Sequence, residues 1–236
     1  MTLSEIALRT RMSAATVRRS LITLERLGYV RRQGRHFLLA PKVLTLGASY
    51  FEAMNLKEVA QPFLAALMEE FNDASSLTVL EGFEVLYVAH VASDQRVTLS
   101  RNVGTRLPAH ATSTGLVLLS HTSARHQERL ISSQLTAYTS RTPVQPTTIK
   151  AILTKARKND YVVARDILEY GSIALAVPVR AGGRKVVAAV NCSARTEAVG
   201  EGELIRSRLP ALRDAAAKIG EMIDRYPQLA HSLTSY

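Results

Sequence analysis

Hydrophobic positions recur along this chain at two different periods, and the changes of period mark out its elements. From Leu3 to Arg9 the residues Leu3, Ile6 and Ala7 share one helical face, with Thr2 or Ser4 as the candidate N-cap. Arg11-Met12-Ser13 breaks that pattern. A second helix is predicted from Ser13 to Leu27, with Val17, Leu21, Leu24 and Leu27 as its apolar stripe and Gly28 at its end, where a residue tolerant of positive φ is favoured. Two short β-prone runs, Tyr29–Arg32 and His36–Leu39, flank Gln33-Gly34-Arg35 in the pattern of a hairpin. Helical spacing returns from Val43 to about Phe51, anchored by Leu44, Leu46 and Tyr50. It is seen again from Leu56 to Phe71, where Val59, Phe63, Leu64, Leu67 and Met68 turn inward and Pro62 either kinks the helix or marks its start.

Beyond Phe71 strands and helices interleave. Ser76–Leu80, Glu84–Val91 and Gln95–Leu99 are rich in β-branched residues and partly alternating, with Glu81-Gly82-Phe83 as a turn between the first two. Helices are predicted over Ser113–Ser120, Ala124–Leu135 and Thr147–Asn159, strands over Tyr161–Val163, Ile173–Val179 and Lys185–Ser193, and a last helix over Gly202–Tyr226. This mixture predicts an α+β architecture, with residues 1–42 as one domain, 43–55 as a linker helix and 56–236 as a larger second domain.

Charge sharpens the reading of the first domain. Residues 1–45 hold nine Arg or Lys against two acidic residues, so they carry +7 of the chain's net +10. A basic cap on a nearly neutral body is the footprint of a polyanion-binding surface. On the second predicted helix Thr16, Arg19, Thr23 and Arg26 share a polar face, and Arg18 and Arg19 lie in its N-terminal half, the part that meets base edges when a helix enters the major groove. The hairpin tip carries Arg31, Arg32 and Arg35, placed to meet phosphates or a minor groove. Helix, turn, helix and basic hairpin in this order make a winged helix-turn-helix that binds double-stranded DNA.

Other chemistry is sparse. Cys192, the only cysteine, sits inside an apolar strand and reads as a buried thiol with no disulfide, as in a reducing, cytoplasmic setting. His110 and Ser113 lack a third partner for a triad, His121 and His126 read as surface residues, and no phosphate loop, His-x-x-x-His or Cys-x-x-Cys pattern is present. The expectation is therefore no enzyme, no metal and no cofactor; a small-molecule hydrolase built on the large domain is one alternative. No run of 18 apolar residues occurs, so no membrane association is expected. Ser113-Thr114-Gly115 opens a predicted helix. There the first-turn N–H groups and two hydroxyls can hold an anion, although a routine Ser/Thr cap has the same spacing.

The stretch Ala15-Thr16-Val17-Arg18-Arg19-Ser20-Leu21-Ile22-Thr23-Leu24-Glu25-Arg26-Leu27-Gly28-Tyr29-Val30, with Phe37–Gly47 and Val103–Leu119, resembles the IclR family, above all its branch governing aromatic-acid and β-ketoadipate catabolism. The resemblance runs over nearly the whole chain. It implies a DNA-binding transcription regulator with a GAF-like effector-binding domain, a small organic acid as effector, and a homodimer or dimer of dimers. It also implies a further helix ahead of the segment that starts at Met1, so the winged domain reads as truncated at its N-terminus. A module that keeps only effector binding or dimerisation is the second alternative. By the same resemblance Ser113, Thr114 and Gly115 become effector contacts, joined by Asp166, Ala174, Asn191 and Ser193. Asn191 can equally be a satisfied polar group of the core.

Overall fold

The computed structural model describes residues 1–46, 56–92, 102–182 and 184–225, and the chain divides into two units, Met1–Met54 and Asn55–Tyr236. The first unit opens on α1 (Leu3–Thr10). Thr2 accepts from the Glu5 N–H at 3.4 Å and the Glu5 carboxylate accepts from the Thr2 N–H at 2.7 Å, a reciprocal capping box. Arg11, at φ 54, stops the helix. Ser13 then caps α2 (Ala14–Arg26) by accepting from the Thr16 N–H at 3.2 Å, and Gly28 at φ +80 turns the chain out of it. β1 (Val30–Gln33) pairs antiparallel with β2 (His36–Leu39), and Gln33 faces His36 across a two-residue Gly34-Arg35 turn.

Val17, Leu21 and Val30 form the centre of this unit, with Leu3, Ile6, Ala7 and Phe37 packed around them. Leu24 and Leu27, expected to face inward, are 39% and 51% exposed. Among the described residues two helices and a hairpin leave Leu24 and Leu27, at the C-terminal end of the α2 stripe, largely uncovered. Residues 43–46 are helical; Tyr50 and the rest of the expected bridging helix lie outside the described residues.

In the second unit, α3 (Leu56–Phe71) contains Pro62 well inside it rather than at its start. Six strands follow: β3 (Ala74–Glu81), β4 (Glu84–Val91), β5 (Arg106–Pro108), β6 (Val162–Arg165), β7 (Ser172–Ala181) and β8 (Lys185–Arg195). They form one sheet in the order β5-β4-β3-β8-β7-β6, and every neighbouring pair is antiparallel. The expected strand Gln95–Leu99 lies outside the described residues, and β5 falls in a stretch to which the sequence assigned no element. β7 and β8 are longer than their apolar runs, because pairing with each other carries them into polar sequence.

α3 and α7 (Glu201–Asp224) pack together and against the sheet. At Gly220 the helix comes so close to β7 that an added Cβ would lie 2.1 Å from the Arg180 carbonyl oxygen. On the other face lie α4 (Ser113–Ser120), α5 (Ala124–Ile131) and α6 (Pro146–Asn159). α5 ends at Ile131, with Ser132 as its C-cap, rather than near Leu135; the Ser133 N–H bonds the Leu130 carbonyl three residues back and so leaves the α-helical pattern. All eight residues of α4 are buried, as an element without a polar face must be. Leu116, Val117, Leu119, Leu130, Ile149 and Leu153 belong to the core formed on this side.

Candidate functional site

Strand register assembles a cavity beneath the start of α4. Asn191 pairs with Ser76 on one side and Ala176 on the other; two residues on, Ser193 pairs with Ala174, which pairs with Ala164. Because side chains alternate, Asn191, Ser193, Ala174 and Ala164 share one face. Over that face stand Ala111, Thr112, Ser113 and Thr114, while Ile167, Leu168 and Ser172 close one side and Tyr87 another. The cavity measures about 30 Å³, which is room for one or two waters.

The helix starts at Ser113, where the sequence predicts it, and that start has the geometry of an anion site. Thr112 is the N-cap, and its hydroxyl accepts from the Gly115 N–H at 3.1 Å. Ser113 and Thr114 therefore occupy the first helical turn, whose N–H groups have no i−4 carbonyl to bond. Thr114 Oγ1 and Asn191 Oδ1 both belong to residues lining the cavity, are buried, and have no hydrogen-bond partner. Thr78 Oγ1 and Gln61 Oε1 are also buried without partners, in residues outside the lining. Among the described residues no charged side chain lines the cavity.

Of the seven residues expected to contact an effector, the structure brings five together in the lining: Ser113, Thr114, Ala174, Asn191 and Ser193. Gly115 stands behind it. An added Cβ there would lie 2.2 Å from the Ala109 carbonyl oxygen, so its missing side chain lets α4 cross the 3₁₀ turn Ala109–Ala111. Asp166, at φ 59, also lies outside the lining and braces the loop that closes it. Its Oδ1 accepts from the Gly171 N–H at 2.7 Å, and its Oδ2 lies 3.3 Å from Arg141 and 3.6 Å from Arg165. The hydroxyls of Thr139 and Thr142 donate to the Asp166 and Ile167 carbonyls at 2.5 and 2.6 Å. Tyr87, Thr112, Ile167, Leu168 and Ser172 were missed by the sequence reading. Their place follows from register and a loop closure, neither of which leaves a local pattern.

In the first unit Arg18 and Arg19 are exposed on α2, and Arg31 and Arg35 on the hairpin; none forms an ion pair among the described residues. Thr16 is half-buried, with its hydroxyl 2.8 Å from that of Ser13, and the Thr23 hydroxyl donates to the Arg19 carbonyl at 3.1 Å. Arg31 and Arg32 point to opposite faces of the ribbon. Arg32 folds back, its Nε donating to the Gly34 carbonyl at 3.0 Å and its guanidinium lying 6.0 Å from the centre of the Phe37 ring. Lys42, counted in the basic cap, donates instead to the Leu27 carbonyl at the end of α2, over the Tyr29 ring.

Cys192 is buried, 3.5 Å from the Ser75 hydroxyl, and burial pushes its thiol up to about 12. A thiol that stays protonated at neutral pH is a poor nucleophile. His110 Nε2 lies 3.0 Å from the Thr136 carbonyl oxygen. His121 and His126, expected on the surface, are half-buried against Asp160 and the Gly82 carbonyl. Among the described residues no cluster of His, Cys, Asp and Glu could hold a metal, and no helix is long and apolar enough to cross a membrane.

Comparison with known proteins places these two sites in context. The family model of the bacterial transcriptional regulator IclR C-terminal domain matches residues 48–221, and that of the IclR helix-turn-helix domain matches residues 1–34. The Pca regulon regulatory protein of Pseudomonas putida is 38% identical over 220 residues, covering 92% of this chain and 75% of its own. The p-hydroxybenzoate hydroxylase transcriptional activator of Acinetobacter baylyi is 35% identical over 229 residues, covering 93% of this chain and 83% of its own. The crystal structure of an IclR homolog from Microbacterium hydrocarbonoxydans complexed with 4-hydroxybenzoate is similar with a TM-score of 0.74 and 26% identity, covering 98% of this chain and 92% of that one.

Proposed function

The chain belongs to the IclR family of bacterial transcriptional regulators, and from that premise we propose that it governs an aromatic-compound operon of the β-ketoadipate type in response to a small aromatic carboxylic acid. In this reading residues 1–42 bind operator DNA, 43–55 link, and 56–236 sense the acid. The protein works in the cytoplasm as a homodimer or dimer of dimers and is not an enzyme. Arg18 and Arg19, with Thr16 and Thr23, face the bases, while Arg31, Arg32 and Arg35 meet the backbone or the minor groove.

One observation carries the effector half of this reading: two buried polar atoms, Thr114 Oγ1 and Asn191 Oδ1, lack partners within a single cavity. Buried polar groups are nearly always paired, so such a pair in one place marks where a ligand supplies the partner. The ligand's carboxylate lies at the start of α4, held by first-turn N–H groups and the hydroxyls of Ser113 and Thr114. Its ring lies on Ala164 and Ala174, with Asn191 and Ser193 for a ring substituent. Gly115 and Asp166 act through position, the one by letting α4 approach and the other by holding the loop. A benzoate is larger than a cavity of about 30 Å³, so binding displaces the loop carrying Ile167 and Leu168, and that shape change separates bound from free protein.

Calorimetry with 4-hydroxybenzoate, protocatechuate and β-ketoadipate tests this site on wild type, Ser113→Ala and Ser113→Asp. One of these acids binds wild type, alanine weakens it, and aspartate at the helix terminus repels it and abolishes binding. An acid that binds wild type and Ser113→Asp equally well would falsify the anion site.

A further inference from the structure

A second cleft opens on the α4–α6 side of the sheet, lined by residues distinct from those of the effector cavity. Its volume is about 460 Å³, within the range of sites that take whole small molecules. Leu80, Leu118, Val186 and Val187 give it an apolar floor, while Arg125, Arg129 and Lys185 stand exposed around it. Arg125 and Arg129 are four apart on α5 and so share a face, whereas Lys185 opens β8.

Among the described residues the lining contains no carboxylate; on α5 Glu128 is exposed and forms no ion pair, and the other acids nearest the cleft are already engaged. Glu81 and Glu84, on the hairpin beside Leu80, are both held by Arg106. Asp160, beside His121, is held by Arg180 at 2.8 Å. Among the described residues Arg125, Arg129 and Lys185 form no ion pair; Arg129 instead lies over the Phe83 ring at 5.8 Å. Three unneutralised cations from two elements thus converge on an apolar floor.

We propose that this cleft is a second ligand site, for a small di- or tricarboxylic acid, separate from the aromatic-acid cavity. The cations demand at least two negative groups, since a monoanion would leave most of the like-charge repulsion unrelieved. The floor of Leu80, Leu118, Val186 and Val187 demands a carbon skeleton between them, which distinguishes the site from one for inorganic phosphate. The described lining of the effector cavity offers only neutral donors, so the two sites read different anions.

The test is calorimetry of citrate and glutarate on the full chain at low ionic strength, where surface charge is least screened, with acetate and inorganic phosphate as comparisons. Citrate or glutarate binds wild type at one site per chain, more tightly than acetate or phosphate. Arg125→Glu/Arg129→Glu weakens that binding by about tenfold or more, as loss of a charged hydrogen-bond partner does. Lys185→Glu does the same from the other element, so a local effect on α5 cannot account for both. Ser113→Asp, in the other cavity, leaves it unchanged. All these positions except Ser113 are exposed, and circular dichroism checks each fold. Absence of binding to wild type, equal binding to the charge-reversed variants, or loss in Ser113→Asp overturns the proposal.

Discussion

Replacing Thr114 by Val exchanges a hydroxyl for a methyl of nearly the same shape, and the structure sets the expected sign on two quantities. Thr114 is 1% exposed and its Oγ1 has no partner, so in the free protein the hydroxyl is desolvated without compensation. An unsatisfied buried group costs about 1–3 kcal/mol, and replacing it by an apolar group of equal shape removes that cost. The helix start itself is untouched, because the capping hydroxyl belongs to Thr112, and Thr and Val differ little in helix propensity. The free protein should therefore gain about 1 kcal/mol, or about 2–4 °C in Tm for a domain of this size. Affinity for the aromatic acid should fall by about tenfold, which is the loss of about 1.4 kcal/mol of binding. Urea denaturation gives the first number and calorimetry the second. A lowered urea midpoint would show that the hydroxyl has a partner in the free protein. An unchanged affinity would show that the hydroxyl is not aimed at the ligand. Stabilisation and loss of binding in one variant is the expected mark of a residue kept for function.

Three further predictions concern other parts of the molecule. Gly115→Ala puts a Cβ 2.2 Å from the Ala109 carbonyl oxygen, so the variant should lose about 1–3 kcal/mol in denaturation, and an unchanged midpoint would mean that the 3₁₀ turn gives way freely. Arg19→Ala should cost about 1–3 kcal/mol on operator DNA and much less on random DNA; an equal loss on both would restrict Arg19 to phosphate contact. Light scattering at micromolar concentration should show a dimer or tetramer, and a lone 25.8 kDa species would exclude the assembly proposed.

Local chemistry made some elements plain. Thr2 with Glu5, Ser13 before Ala14, and Gly28 after Leu27 are caps and stops whose mechanism operates within four residues, and α1, α2 and the hairpin fall where those residues put them. Helical period identified the stripe Val17, Leu21, Leu24 and Leu27, but a period says which residues share a face and not what covers that face. For the cavity, alternation put Asn191 and Ser193 on one side of a strand. Only the register against β7, set by long-range pairing, brought Ala174 opposite Ser193. Tyr87, Ile167 and Leu168 arrive from a distant strand and a loop, so no spacing within the chain could announce them.

The placement of Asp166 shows how the molecule separates its charges. Read from resemblance it is an effector contact, yet a carboxylate facing an anionic ligand would repel it. Its oxygens instead face the Gly171 N–H and the guanidiniums of Arg141 and Arg165, so the negative charge is spent on the loop and kept from the cavity. In the proposed site binding rests on the neutral donors of the described lining, which act only at hydrogen-bond distance and in the right direction, and so select for shape as well as charge. The arginines of α2 and the hairpin do the opposite. Exposed and without ion pairs among the described residues, they attract any polyanion at long range, with the salt dependence that phosphate contacts carry. In the proposed reading one chain thus holds a general attraction for nucleic acid on one unit and, on the other, a receptor for a small acid whose described lining is uncharged. A ligand signal can in that way be read against a background of abundant cellular anions.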